Sequence, residues 1–120
     1  SIYVLKLVTD WMIEMGGIEY FEEKSVSQSS RLYKQLESYK DFLNLPVCDY
    51  SKSRSNIIFK FKNNDLEKKF LNEAGEKGIL GLNGHRSEGG IRISLYNSIT
   101  DEMVDYLSEF IEQFFANNGR

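Results

Sequence analysis

The stretch GHRSEGGIRISLYNSI, from Gly84 to Ile99, holds the chain's only histidine, two of its five arginines and a Gly-Gly pair. Arg92 opens an alternating run that places Ile91, Ile93 and Leu95 on one face and Arg92, Ser94 and Tyr96 on the other, because successive side chains of a strand point to opposite sides. With the isoleucines turned to a core, the guanidinium faces a cleft or solvent, where its planar fork suits a carboxylate through two parallel hydrogen bonds. Gly89-Gly90, just before it, leaves room for a ligand or another backbone to come close. His85 and Arg86 suit a second anion, and a phosphate fits a cluster of arginine, histidine and free backbone N–H groups. A plainer reading fits the same residues: a solvated or salt-bridged arginine at a strand start, and a Gly-Gly that only makes a turn. Composition and spacing leave both open.

Other chemistries find less in the sequence. With one cysteine, Cys48, an intrachain disulfide and a CxxC pair are excluded, and a single histidine leaves zinc dependent on an unusual number of carboxylates, so no metal site is expected. Cys48, in a loop after the single proline, Pro46, reads as structural and not as a nucleophile. Phosphate-binding glycine loops of the GxGxxG and GxxxxGK[ST] types are absent, and the arginine beside His85 makes that histidine a poor base for a Ser-His-Asp arrangement. The net charge of −3 argues against a nucleic-acid surface, so any anion site is local. Cysteine usage favours a reducing compartment, and a cytoplasmic location is expected. The first 17 residues carry Lys6, Asp10 and Glu14, too polar for a membrane span, and lack the basic start of a signal peptide. The chain begins without methionine, directly in a helical pattern, which reads as a cut through a longer protein.

These residues need elements to hold them. The chain is 120 residues long, 41% hydrophobic and 13% aromatic, enough for one folded domain with a core. Ile2, Leu5, Val8, Met12 and Met15 recur at helical spacing up to a stop at Gly16-Gly17. A second helix is expected from about Ile18 to Ser38, its polar middle, EKSVSQSS, suited to solvent or to crossing between packed bodies. A loop follows over Asn44–Tyr50, then a strand in SNIIFKFKN with Ile57, Phe59 and Phe61 on one side. Asn64 and Glu67 have capping-box spacing for a helix to about Glu76 with Leu66, Phe70, Leu71 and Ala74 facing in. A short strand over Ile79–Leu82, the Ile91–Tyr96 strand and a final helix from Thr100 or Asp101 complete the order. That last helix carries Met103, Val104, Leu107, Phe110, Ile111, Phe114 and Phe115 as an apolar stripe. The expected fold class is α+β, a small mixed or antiparallel sheet with packed helices.

At the level of whole motifs, GHRSEGGIRISLYNSI resembles the C-terminal signature of the phosphoserine aminotransferase family, class-V enzymes dependent on pyridoxal phosphate, where the pattern is close to GHRSxGGxRASxYNA. SIYVLKLVTDWMIEMGGIEYFEEK is similar to the family's helix, Gly-Gly stop and long helix, and SRSNIIFKFKNNDLEKKFLNEAGEKGILGLNGHR to the elements leading into the motif. The resemblance implies the C-terminal small domain of a fold-type I transferase, with residues 1–16 as an interdomain helix, residues 17–120 as the small domain, and the large cofactor domain outside this chain. It implies a homodimer that exchanges an amino group between glutamate and 3-phosphohydroxypyruvate, giving phosphoserine and 2-oxoglutarate. Arg92 would take the substrate α-carboxylate, and His85 and Arg86 its phosphate, in a site between domains and near the dimer interface, where they can serve the partner subunit. The Schiff-base lysine, the acid on the pyridine nitrogen and the ring-stacking aromatic belong to the large domain, so no catalytic or cofactor-binding residue is expected here, and the segment alone should be inactive.

Glu88 departs from the pattern with a carboxylate beside the phosphate position, and Ile93 and Ser98 stand where alanines are usual. Leu5, Val8, Trp11 and Met12 would pack on the missing domain, leaving the isolated chain to self-associate; the alternative is that this helix folds back on its own sheet. A competing functional reading is a free-standing anion-binding or regulatory module without catalytic activity.

Overall fold

In the computed structural model, which describes residues 1–119, the chain runs α1 (Ile2–Glu14), α2 (Gly17–Glu37), β1 (Leu43–Asn44), a 3-10 turn (Asp49–Ser51), β2 (Asn56–Phe61), α3 (Asn64–Glu76), β3 (Ile91–Ser94) and α4 (Asp101–Asn118). The three strands form an antiparallel sheet in the order β1-β2-β3, so the class is α+β as expected. Alternation sets the register. Ile57 faces Ile93 and Phe59 faces Ile91 on the buried side, while Ile58 lies opposite Arg92 and Asn56 opposite Ser94 on the other. Helices cover the apolar side, α4 through Val104, Leu107, Phe110, Ile111, Phe114 and Phe115, α3 through Phe70 and Ala74, α2 through Leu32 and Leu36. Phe70 meets Phe59 and Phe114 edge-on at ring separations of 6.1 and 5.0 Å, the geometry that aromatic quadrupoles favour. Ile93 is buried against this core, so the bulkier side chain is a packing change.

Several expectations are corrected. The middle of α2 is solvated on one face only: Glu23, Val26, Ser27 and Ser30 are exposed. Gln28 and Ser29 are buried, and α2 is joined to α4 by polar contacts: Gln28 Nε2 donates to Asp101 Oδ1 at 2.7 Å, Gln35 Nε2 to the Ser108 carbonyl at 2.8 Å, and Arg31 pairs with Asp105. The polar residues that spoiled the helix's apolar pattern are its contacts with a partner helix. The cap of α3 is Asn63, not Asn64; its side chain accepts from the N–H groups of Asp65 and Leu66. Glu67 instead turns back to accept the Phe61 N–H at 3.1 Å, satisfying the end of β2. Leu43–Asn44, read as entering a loop, pairs with Phe61 and Lys60. Ile79–Leu82 makes no strand. Gly78 and Gly81 break the extension at φ +76° and +77°, and only Asn83 bridges to Ile91. Met103, on the apolar stripe of α4, is exposed and not part of the core.

The α1–α2 reversal is made by Gly16 and Gly17, both at positive φ. No residue of α1 is buried, and α1 packs on α2, with Trp11 against Phe21 at 5.1 Å. It does not fold back on the sheet. Among the described residues no helix is long and apolar enough to cross a membrane, and no cluster of His, Cys, Asp and Glu could hold a metal ion.

Candidate functional site

The quoted stretch folds as a tight hairpin whose glycines have steric causes. Gly84 N–H donates to the Gly90 carbonyl at 2.9 Å, and Arg92 N–H to the Leu82 carbonyl at 2.8 Å. The backbones approach so closely that a Cβ on Gly84 would lie 2.0 Å from the Gly89 oxygen. Gly90 sits at φ +73°, and a Cβ there would lie 2.9 Å from the Phe59 oxygen. Glycine is required where φ is positive or another backbone is this close; Gly90 lets the hairpin lie against β2.

At the tip, the His85 carbonyl accepts the N–H groups of Glu88 (3.0 Å) and Gly89 (2.8 Å), curling residues 85–89 into one turn. His85, Arg86 and Glu88 are exposed there, and among the described residues Arg86 and Glu88 form no ion pair. The Glu88 carboxylate is therefore not neutralised by its neighbour.

Arg92 is placed differently. It is half-buried on β3, and its Nε is shut off from solvent with no hydrogen-bond partner among the described residues. Buried polar groups are nearly always paired, so an orphaned guanidinium N–H marks a place where an acceptor belongs. The side chain lines a groove of about 830 Å³ between the 78–82 segment, β3 and the first half of α4. Leu82, Leu95, Ile99, Met103 and Leu107 supply much of the wall, and among the described residues Arg92 is its one cation and Glu102 its one anion. Charge-assisted bonds gain strength on such an apolar, partly dewatered surface.

The structure thus brings the three predicted residues onto one hairpin but not into one cavity: Arg92 lines the groove, and His85 and Arg86 do not. Sequence reading missed the α4 side of the groove. Met103 reads only as part of an apolar stripe, because its helical spacing is the same whether an apolar side chain faces a core or a groove. Cys48 lies exposed on the loop before the 3-10 turn and does not line the groove; hydrogen bonds from Ser51 and Tyr50 pull its thiol below the ordinary value.

Comparison with known proteins places the chain in a family. The family model for class-V aminotransferases matches residues 1–107. Phosphoserine aminotransferase of Streptococcus agalactiae is 42% identical over 99% of this chain and 33% of its own length, and that of Saccharomyces cerevisiae 35% identical over 99% and 30%. A structure described as radiation damage of the Schiff base in phosphoserine aminotransferase superposes with a TM-score of 0.93 at 35% identity, over 98% of this chain and 32% of that one. The pyridoxal-phosphate-bound phosphoserine aminotransferase of Trichomonas vaginalis gives 0.78 at 28% identity, over 86% and 30%. The chain spans about a third of the length of the curated relatives it matches.

Proposed function

The chain belongs to the class-V aminotransferase family, and from that premise we propose that it is the C-terminal, substrate-gripping segment of a cytoplasmic, homodimeric phosphoserine aminotransferase. The parent reaction interconverts 3-phosphohydroxypyruvate plus glutamate and phosphoserine plus 2-oxoglutarate. In this reading residues 1–16 form the interdomain helix and residues 17–120 the small domain. The observation that carries it is the unpartnered, buried Nε of Arg92 in an apolar groove. Every substrate of that reaction has a carboxylate, and the guanidinium fork offers two parallel donors to it.

The phosphate falls to His85 and Arg86, exposed at the hairpin tip. Because they do not line the Arg92 groove, we assign them to the site of the partner subunit. Hybrid dimers test this, one subunit carrying Arg92→Ala and the other Arg86→Ala. Shared sites leave one of the two sites intact, so about half the activity survives; sites built within single subunits leave both damaged.

Pyridoxal phosphate, the electron sink for transamination, would be held outside this segment. None of the ten lysines is buried and none lines the groove. Lys52, the most tightly held, is bonded to Glu37 and Asp49 at 2.6 and 2.8 Å, which push its pKa up, opposite to what an imine-forming amine needs. The cofactor and its lysine are assigned to the rest of the protein, and this segment supplies substrate binding only. A transamination assay on the full-length protein, phosphoserine against serine with 2-oxoglutarate as acceptor, should show a strong preference for phosphoserine. Equal rates would remove the phosphate assignment, and activity insensitive to Arg92→Ala would remove the carboxylate assignment. Phosphoserine binding by the 120 residues alone, without a turnover role in the parent, would favour the free-standing anion-binding module.

A further inference from the structure

The imidazole of His85 is not free at the hairpin tip. Its Nδ1 accepts the backbone N–H of Ser87 at 3.3 Å, and the Ser87 hydroxyl lies 2.8 Å from the same nitrogen. A backbone N–H can only donate, so Nδ1 must present its lone pair, and in the neutral ring the proton then resides on Nε2. The turn makes this arrangement. The two hydrogen bonds onto the His85 carbonyl, from Glu88 and Gly89, fold the chain back so that residue 87 reaches the ring's Nδ1. The ring nitrogen takes the place that an Asx side-chain oxygen takes when it accepts the N–H two residues on.

We propose that Ser87 is a positioning residue: its N–H and hydroxyl together hold His85 as the Nε2–H tautomer, so that the hairpin tip presents one fixed N–H donor to a phosphate oxygen beside the Arg86 guanidinium. This rests on the phosphate role proposed for His85. A histidine free to exchange tautomers presents an acceptor to the phosphate for part of the time, and a lone pair facing a phosphate oxygen repels it. Ser87 removes that unproductive state without touching the substrate. The backbone half of the hold survives any side-chain change, so the hydroxyl's share is what mutation reads.

The test uses full-length protein. Ser87→Ala should raise the KM for phosphoserine about threefold to tenfold beyond any change for serine, the range of one ordinary hydrogen bond, and Ser87→Thr, which keeps the hydroxyl, should restore it. Nitrogen-15 spectra of histidine-labelled protein, with the His85 signals assigned by their loss in His85→Ala, should show an unprotonated Nδ1 and a protonated Nε2. In Ser87→Ala the two signals should move toward each other. A KM ratio and nitrogen signals unchanged by Ser87→Ala, while His85→Ala does lower the preference for phosphoserine, would overturn the positioning role and leave the phosphate role standing. Equal KM changes for both substrates, unrescued by threonine, would make Ser87 merely structural and overturn it as well. A His85→Ala variant with undiminished preference for phosphoserine would overturn the underlying reading, and this inference with it.

Discussion

Arg92 is aimed by backbone and not by a side-chain partner: its N–H is fixed to Leu82, and its residue pairs across the ladder with Ile58. That is why a substitution there should read as lost binding and not as lost fold. Arg92→Ala in the full-length protein should cost about 2 kcal/mol, or about 30-fold in kcat/KM, the scale of a charge-assisted bidentate contact. Arg92→Lys should recover only part, since an ammonium keeps the charge and loses the fork. A loss matched by a fall in melting temperature would show that the arginine is structural. Glu88 works in the opposite sense. Its carboxylate has no ion-pair partner among the described residues and lies on the same turn as His85 and Arg86. Glu88→Gln should therefore lower the KM for phosphoserine about twofold to fivefold, the effect shrinking as salt rises because the groups are exposed. A KM that does not respond, or that responds equally for serine, would mean the side chain points away from the phosphate.

Among the elements, the hairpin and α3 use glycine in contrasting ways, and the contrast can be measured. Gly84→Ala places a Cβ 2.0 Å from a backbone oxygen that cannot yield without opening the hairpin, and should destabilise the protein by about 2 kcal/mol or more. Gly75 lies within α3 with nothing within 4 Å of its would-be Cβ and no positive φ, so Gly75→Ala should stabilise by about 0.5–1 kcal/mol. Urea midpoints that shift the same way in both variants would refute this account. The sequence made the helices and the β2 and β3 strands legible because each carries a sustained period, 3.6 or 2, set by one buried face. It concealed β1, two residues long and too short to show alternation. It also concealed the break at Gly78 and Gly81, whose positive φ no apolar pattern records, and the polar contacts of α2, where Gln28 and Gln35 bond α4 and so look like solvent-facing residues. The face that Arg92 takes was legible because strand geometry fixes it. The groove beside it was not, because an apolar residue on α4 such as Met103 has the same helical spacing whether it faces the core or a groove.

At the scale of the whole molecule, the sheet and its three covering helices close on a single core, and α1 stands outside it. Ile2, Leu5 and Val8 are 83, 64 and 45% exposed, on a helix packed on α2. Such a contiguous apolar surface is a liability in water and associates when it can. The isolated 120-residue chain is therefore expected to self-associate through α1. Sedimentation should show mass rising with concentration, and the pair Leu5→Glu and Val8→Glu should return it to monomer without lowering the melting temperature, because neither side chain is part of the core. A single monomeric species across the concentration range would refute this and require α1 to be covered from within. The same preparation, given pyridoxal phosphate, phosphoserine and 2-oxoglutarate, should form glutamate no faster than a protein-free control, because none of its lysines lines the Arg92 groove. Turnover above that control would place a working amine within these 120 residues and overturn the division of labour between this segment and the rest of the protein.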